Sequence, residues 1–212
     1  MSLVVDLCGT LVREDTTRAF VNSLELKGWR RAMLRLANTV LVRKVSVFLR
    51  WDLSRRTVIY ALRGLTRSVL EAAAEKYVEI CVSERLDPIV KAAVVSETKS
   101  GGSVFLATAS LDVVATEVAR RLGITGVVSS KLAYGSGERC IGRLALDLTG
   151  KKWMHLVNSF PVLLVDRPTV YTDNPEDGDL IEKATRVCFM SRPGVPVPQR
   201  FRDLAHVRVV EN

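Results

Sequence analysis

Leu3-Val4-Val5-Asp6-Leu7-Cys8-Gly9-Thr10-Leu11 is the stretch from which the rest of the chain can be read. An apolar run begins almost at the first residue and ends in a carboxylate, a small residue, glycine and threonine. A buried strand reads this way when it delivers side chains to the carboxyl edge of a parallel sheet, where open α/β folds place their ligands. Read as a strand over residues 2–8, it puts Asp6 and Cys8 two apart and so on one side. Gly9 lets the backbone turn sharply behind them. An Asx-turn closing an ordinary strand is the competing reading, and only later segments decide between the two.

The other segments supply the missing strands. Val104-Phe-Leu-Ala-Thr-Ala-Ser110 is a second buried strand ending in hydroxyls, followed by a helix over 112–122 that stops before Gly123. Residues 126–130 make a short third strand, and 130–148 a small antiparallel excursion around Gly135-Ser-Gly137. A helix begins in the Gly150-Lys-Lys-Trp stretch. Thr169-Val-Tyr-Thr-Asp173 is a strand ending in a carboxylate, with a helix expected over 176–184, a strand over 186–190 and an edge strand at 207–210. Alternation of strand and helix predicts a Rossmann-like parallel sheet with helices on both faces and right-handed crossovers.

Between the first two strands, residues 15–99 read as almost wholly helical. Val21, Leu24, Leu34, Val40, Leu41, Val47 and Phe48 recur near helical spacing, 71–82 is a clear helix, and Pro88 can open another. The chain thus divides into an α/β core (1–14 and 100–212) and an inserted α-helical cap (15–99).

Charge is concentrated in that insertion. The 212 residues carry +8 at a pI of about 9.6, yet residues 18–67 alone hold twelve Lys or Arg against only Glu25 and Asp52. This +10 leaves the remainder slightly acidic. A basic wall of this kind attracts small anionic metabolites. Within it, Ala32–Trp51 is greasy but interrupted by Arg35, Arg43 and Lys44, so it lacks the apolar length of a transmembrane span. It reads either as a helix packed inside the cap with snorkelling arginines or as a peripheral contact of 18–67 with an anionic membrane surface. No nucleic-acid reader motif accompanies the arginines, so no nucleic-acid partner is expected. Cys8, Cys81, Cys140 and Cys188 form no CxxC pair and read as free thiols of a cytoplasmic protein. Two histidines argue against a His-rich metal site, and GxGxxG and P-loop signatures are absent.

Strand ends at Asp6, Thr108 and Asp173, with Asp177 four residues on and Lys152 heading a helix between, form one constellation. Paired carboxylates beside phosphate oxygens are the usual Mg²⁺ arrangement. A hydroxyl and an ammonium can hold the remaining oxygens, and a carboxylate can attack phosphorus. Each residue also has a plain structural reading: Thr108 as a strand-end cap, Lys152 as a solvated residue, Asp173 and Asp177 as helix-start acids.

The order of these motifs resembles the haloacid dehalogenase superfamily, in its phosphoserine-phosphatase-like branch, through nearly the whole chain. Asp6-Leu-Cys-Gly-Thr-Leu resembles the first motif, Leu106-Ala-Thr-Ala-Ser-Leu-Asp112 the second, Lys152 with Leu156 the third (Lys151 competes), and Tyr171-Thr-Asp-Asn-Pro-Glu-Asp177 the fourth. The resemblance implies an Mg²⁺-dependent phosphomonoester hydrolase acting on a small anionic metabolite. It implies Asp6 as nucleophile and metal ligand, the Cys8 carbonyl and Asp173 as further ligands, Asp177 supporting the metal, and Thr108 and Lys152 binding the phosphoryl group. Asp15 falls where the branch places an acid facing the leaving group, or else caps the first cap helix.

The departure is Cys8. The pattern carries an aspartate there, which protonates the leaving oxygen and then activates water. A thiol, with an ordinary pKa near 8.5, is a poor replacement. Turnover could persist with another base, stall after phosphoryl transfer, or be lost, leaving a binding or regulatory protein. A cysteine-phosphatase loop is excluded, because Cys-x5-Arg would need arginine where Glu14 stands.

Overall fold

A computed structural model describes residues 2–37, 39, 53–191 and 197–211. Its centre is a seven-stranded sheet. In chain order the strands are β1 (Ser2–Val5), β2 (Ser103–Leu111), β3 (Gly126–Tyr134), β4 (Cys140–Leu146), β5 (Thr169–Thr172), β6 (Arg186–Ser191) and β7 (Val207–Glu211). Across the sheet they run β4-β3-β2-β1-β5-β6-β7, all parallel except β4. β1 is central, paired with β2 and β5 in parallel. Connections leave it in both directions, so a crevice opens above its carboxyl end.

Alternation along the strands sorts the core into two layers. Leu3, Val5, Val104 and Leu106 face one side, with Leu7, Phe20, Tyr77, Val94 and Val114. Val4, Phe105, Ala107, Val170, Val187 and Phe189 face the other, with Leu156, Leu163, Leu180 and Phe201.

The expected doubly covered parallel sheet is present, with three adjustments. The first strand stops at Val5 rather than residue 8. Leu11 N donates to Asp6 O (3.2 Å) and Val12 N to Leu7 O (2.9 Å), so the chain turns directly after Asp6, with Gly9 at φ 72°. The third strand runs on to Tyr134 because β4 pairs with its second half. The helix expected over 176–184 is reduced to a 3-10 turn at Pro175–Asp177 and one α-turn at Gly178–Ile181.

The segment between β1 and β2 holds α1 (Thr16–Ser23), α2 (Trp29–Ala37), α3 (Leu53–Tyr60), α4 (Arg67–Ile80) and α5 (Pro88–Lys99). Capping sets their starts: Asp15 accepts from Arg18 N, Thr66 from Val69 N, and Asp87 from Ile89 N and Val90 N with Pro88 at the first turn. α5 lies on β1 and β2. The two crossings into this segment run side by side. Val12 bridges to Leu86, Arg13 pairs with Asp87 (2.9 Å) and Arg85 with Glu14 (2.6 Å). Part of Ala32–Trp51, and with it the membrane-surface reading of 18–67, lies outside the described residues. Among those described, no helix is long and apolar enough to cross a membrane.

Beyond β2, α6 (Asp112–Leu122) ends on Gly123 in the left-handed region (φ 64°). α7 (Lys152–Ser159) connects toward β5 through a 3-10 turn at Pro161–Leu164.

Candidate active site at the carboxyl edge of the sheet

Asp6 emerges immediately after β1, with its N–H still donating to Tyr171 O on β5 (2.9 Å). The residue is 3% exposed. Lys152, at the first position of α7, points inward and is equally buried. Its Nζ donates to Asp6 Oδ1 (2.8 Å) and Asp177 Oδ2 (2.7 Å). Lys151, one place earlier, is exposed and makes neither contact. Burial disfavours the Lys152 charge, but the two carboxylates outweigh it and hold the ammonium above the ordinary lysine range.

Asp177 is fully buried. Burial pushes its carboxyl up to about 7, with Asp6 adding to the rise and Lys152 and the Thr172 hydroxyl (2.6 Å) opposing it. Its other oxygen, Oδ1, is buried and has no hydrogen-bond partner among the described residues. Asp173, just past β5, is held by Thr10, whose Oγ1 donates to Asp173 Oδ1 (2.9 Å). Thr108 is buried within β2, where the register with β3 shifts. Its Oγ1 accepts from Ser110 N (3.1 Å), which leaves the hydroxyl proton to donate elsewhere.

Asp6, Cys8, Asp15, Thr108, Lys152 and Asp173 line one cavity of about 340 Å³. Asp177 stands behind it, reached through Lys152. The loss of strand geometry after Val5 does not separate Asp6 from Cys8, because the turn brings both to the same cavity. Asp15 caps α1 and also lines the cavity, with Arg18 Nε 3.5 Å from Oδ2.

Cys8 is surrounded differently. Its thiol shares a hydrogen bond with Thr16 Oγ1, which in turn shares one with Ser110 Oγ (2.6 Å). Burial, then the neighbouring Asp6 and Asp15 carboxylates, push the thiol up to about 11, against a lowering contribution from Thr16. At neutral pH it is therefore an uncharged S–H.

Three supporting contacts escaped the sequence. Thr10 and Thr172 sit inside motifs already singled out, and their hydroxyls beside carboxylates were the available signal. Arg55 had none. It comes from α3, yet its guanidinium donates to Ala109 O (2.6 Å), Asp147 Oδ2 (3.0 Å) and Thr149 Oγ1 (3.1 Å), tying the insertion to the loop after Thr108.

The donor chemistry fits a hard divalent cation. The cavity is lined by three carboxylates (Asp6, Asp15, Asp173) and by one ammonium, so a phosphate dianion entering alone would meet net repulsion. Among the described residues, no three His, Cys, Asp or Glu side chains form a self-sufficient metal cluster. A cation here would thus use two carboxylates, a backbone carbonyl, phosphate oxygens and water, a set suited to Mg²⁺. The orphaned Asp177 Oδ1 supplies a further acceptor behind them.

A family model described as haloacid dehalogenase-like hydrolase matches residues 3–177. Among curated proteins none matches the chain in sequence. Among solved structures, the chain is similar to a protein with unknown function from Bordetella pertussis Tohama I (TM-score 0.74, 20% identity, 91% of each chain covered). It is also similar to a phosphoserine phosphohydrolase-like protein from Francisella tularensis subsp. tularensis SCHU S4 (0.63, 14%, 98% of this chain and 94% of that one). A substrate-bound phosphoserine phosphatase aligns at 0.59 with 13% identity, over 91% and 87%. At these identities the likeness is one of fold.

Proposed function

The chain belongs to the haloacid dehalogenase-like hydrolases, and from that premise we propose that it is an Mg²⁺-dependent phosphomonoesterase acting through an aspartyl-phosphate. The observation that carries the reading is Lys152. A fully buried ammonium bridges Asp6 and Asp177 at the wall of a cavity that also presents Thr108. Nothing in the packing of α7 requires a lysine there. Its burial is understandable where a carboxylate must be positioned and an anion received.

In this reading the Asp6 oxygen not engaged by Lys152 attacks phosphorus as the bond to the leaving oxygen breaks, and the alcohol departs with a proton taken from water. Lys152 keeps Asp6 ionised and oriented, and Thr108 donates its hydroxyl proton to a phosphoryl oxygen. Thr10 fixes Asp173, and Thr172 fixes Asp177. Asp6, the Cys8 carbonyl and Asp173 would hold Mg²⁺, with Asp177 in support; the ion supplies charge neutralisation. Water then cleaves the acyl phosphate and restores Asp6. Residues 15–99 act as the cap over a core of 1–14 and 100–212, with α5 lying on the sheet. The substrate is a small phosphorylated anion, and Asp15 faces its leaving group.

One observation favours a second reading. The uncharged Cys8, tied to Thr16, is unsuited to protonating a leaving oxygen or activating water. A chain limited there would transfer the phosphoryl group and release it slowly, or serve as a binding or regulatory protein. Phosphate release from a panel of phosphomonoesters, with and without Mg²⁺ and beside Asp6→Asn, separates the two. Release requiring both metal and Asp6 is the expected result. Release that survives Asp6→Asn would overturn the first reading, and no release above that control would leave the second.

A further inference from the structure

Next to the Asp6 cavity lies a larger one, of about 800 Å³, between α3 and β4. The two are neighbours through shared structure. Asn174 and Pro175 line the smaller, and Glu176, the next residue, lines the larger. Arg55 stands at the junction, one arm on Ala109 O at the small cavity and the other on Asp147 and Thr149 at the large one. Asp147 is thereby neutralised: burial pushes its carboxyl up, but Arg55 draws it below the ordinary range.

The rest of the wall is amphipathic. Ile59 and Leu144 are aliphatic, Tyr60 offers a ring, and Arg56 and Arg143 face in from opposite elements. Among the described residues no carboxylate pairs with Arg143, which lies on the outermost strand. The close approach of that strand to α3 is built in by Gly142. Its φ of +78° is a conformation that side chains rarely adopt, and a Cβ would crowd Tyr60 Cδ2 and Arg63 Cβ at 3.1 Å.

We propose that this second cavity receives the body of the leaving group, and that Arg143, with Arg56, binds a second anionic group carried by it. The substrate class is a phosphomonoester with an apolar or flat body and a further carboxylate or phosphate. The volume is far more than a single amino-acid-sized leaving group would need, and guanidinium groups recognise either anion by charge-assisted hydrogen bonds. This assignment rests on the phosphohydrolase reading for the small cavity, but its test reads binding.

The test uses the full-length Asp6→Asn chain with Mg²⁺, titrated calorimetrically with phenyl phosphate, 4-carboxybenzyl phosphate and hexane-1,6-diol bisphosphate. The two ligands with a second anion should bind about tenfold more tightly than phenyl phosphate, as expected for a charge-assisted contact. Arg143→Ala should abolish that preference while leaving phenyl phosphate affinity unchanged, and Arg143→Glu should invert it. The carboxylate and bisphosphate arms distinguish which anion is preferred. Equal affinity for all three ligands, or a preference that survives both Arg143 variants, would overturn the assignment. Phosphate release from phenyl phosphate by the unsubstituted chain reports separately on the phosphohydrolase reading, so the two can fail independently. Arg143 is exposed on an edge strand, and its variants should retain the parent melting temperature.

Discussion

The two flanks of the Asp6 cavity are built on opposite principles. On one, Asp6, Lys152 and Asp177 form a buried ionic row completed by Thr172. On the other, Cys8, Thr16 and Ser110 form a row of uncharged groups sharing hydrogen bonds. The ionic flank is costly to desolvate and tolerates no missing partner. The neutral flank costs little to bury and offers no group that gains or loses a proton near pH 7. The contrast teaches that one cavity can combine a fixed ionic wall with a wall that carries no proton-transfer group, and on the proposed reading the second wall is what limits turnover.

The largest expected effect comes from breaking the ionic row. Lys152→Ala leaves two carboxylates facing each other in the interior, and should cost about 3–5 kcal/mol in urea denaturation. It should also abolish Asp6-dependent phosphate release. A loss under about 1 kcal/mol would mean that the row is solvated and the contrast false.

On the neutral flank the effect should have the other sign for turnover. Cys8→Asp restores a carboxyl where proton transfer is needed, and should raise phosphate release on the order of 10²-fold, the lower end for a general acid–base group. Unchanged turnover would show that this flank does not limit the reaction. Thr16→Val severs Cys8 and Ser110 from their common partner. It should lower stability by about 1–2 kcal/mol, measured by the urea midpoint, while altering turnover far less than Lys152→Ala.

The smallest effect calibrates the ionic flank against an ion cluster far from the site. Glu117, on α6, is held down to about 2 by its hydrogen bonds to Arg120, with Arg121 adding to the effect against burial. Because the folded-state pKa is depressed, the stabilisation is present above the unfolded value near 4.5 and is lost as pH falls toward 2. With one arginine largely exposed, screening keeps it to about 1 kcal/mol or less. Glu117→Gln should lower stability by that amount at pH 7, have no effect near pH 2 where the carboxylate is already protonated, and so flatten the pH dependence between them. An equal loss at pH 7 and pH 2 would contradict it.

How far each flank could be read from the sequence follows the same division. Asp6, Lys152, Asp173 and Asp177 stand just past strands or at a helix start, and Thr108 lies in the last half of β2, where local pattern fixes both position and direction. Parallel pairing of β1 with β2 and β5 then brings them together. Lys152 could be told from Lys151 only once the first turn of α7 showed which one faces Asp6. Thr16 and Ser110 meet across 94 residues, and Arg55 reaches Ala109 across 54, contacts set by how the insertion docks on the sheet. No periodicity records such distances. The abrupt end of β1 was hidden because Leu7 continues the apolar run, yet it belongs to the buried core beyond the turn rather than to the strand.

The most direct measurement is intact-protein mass spectrometry of the chain, acid-quenched during incubation with phenyl phosphate and Mg²⁺, followed by peptide mapping. A single phosphoryl group on Asp6 is expected, more abundant in the unsubstituted chain than in Cys8→Asp, because the neutral flank slows its hydrolysis. A chain that carries no adduct, in either form, and releases no phosphate that depends on Asp6 would contradict the account.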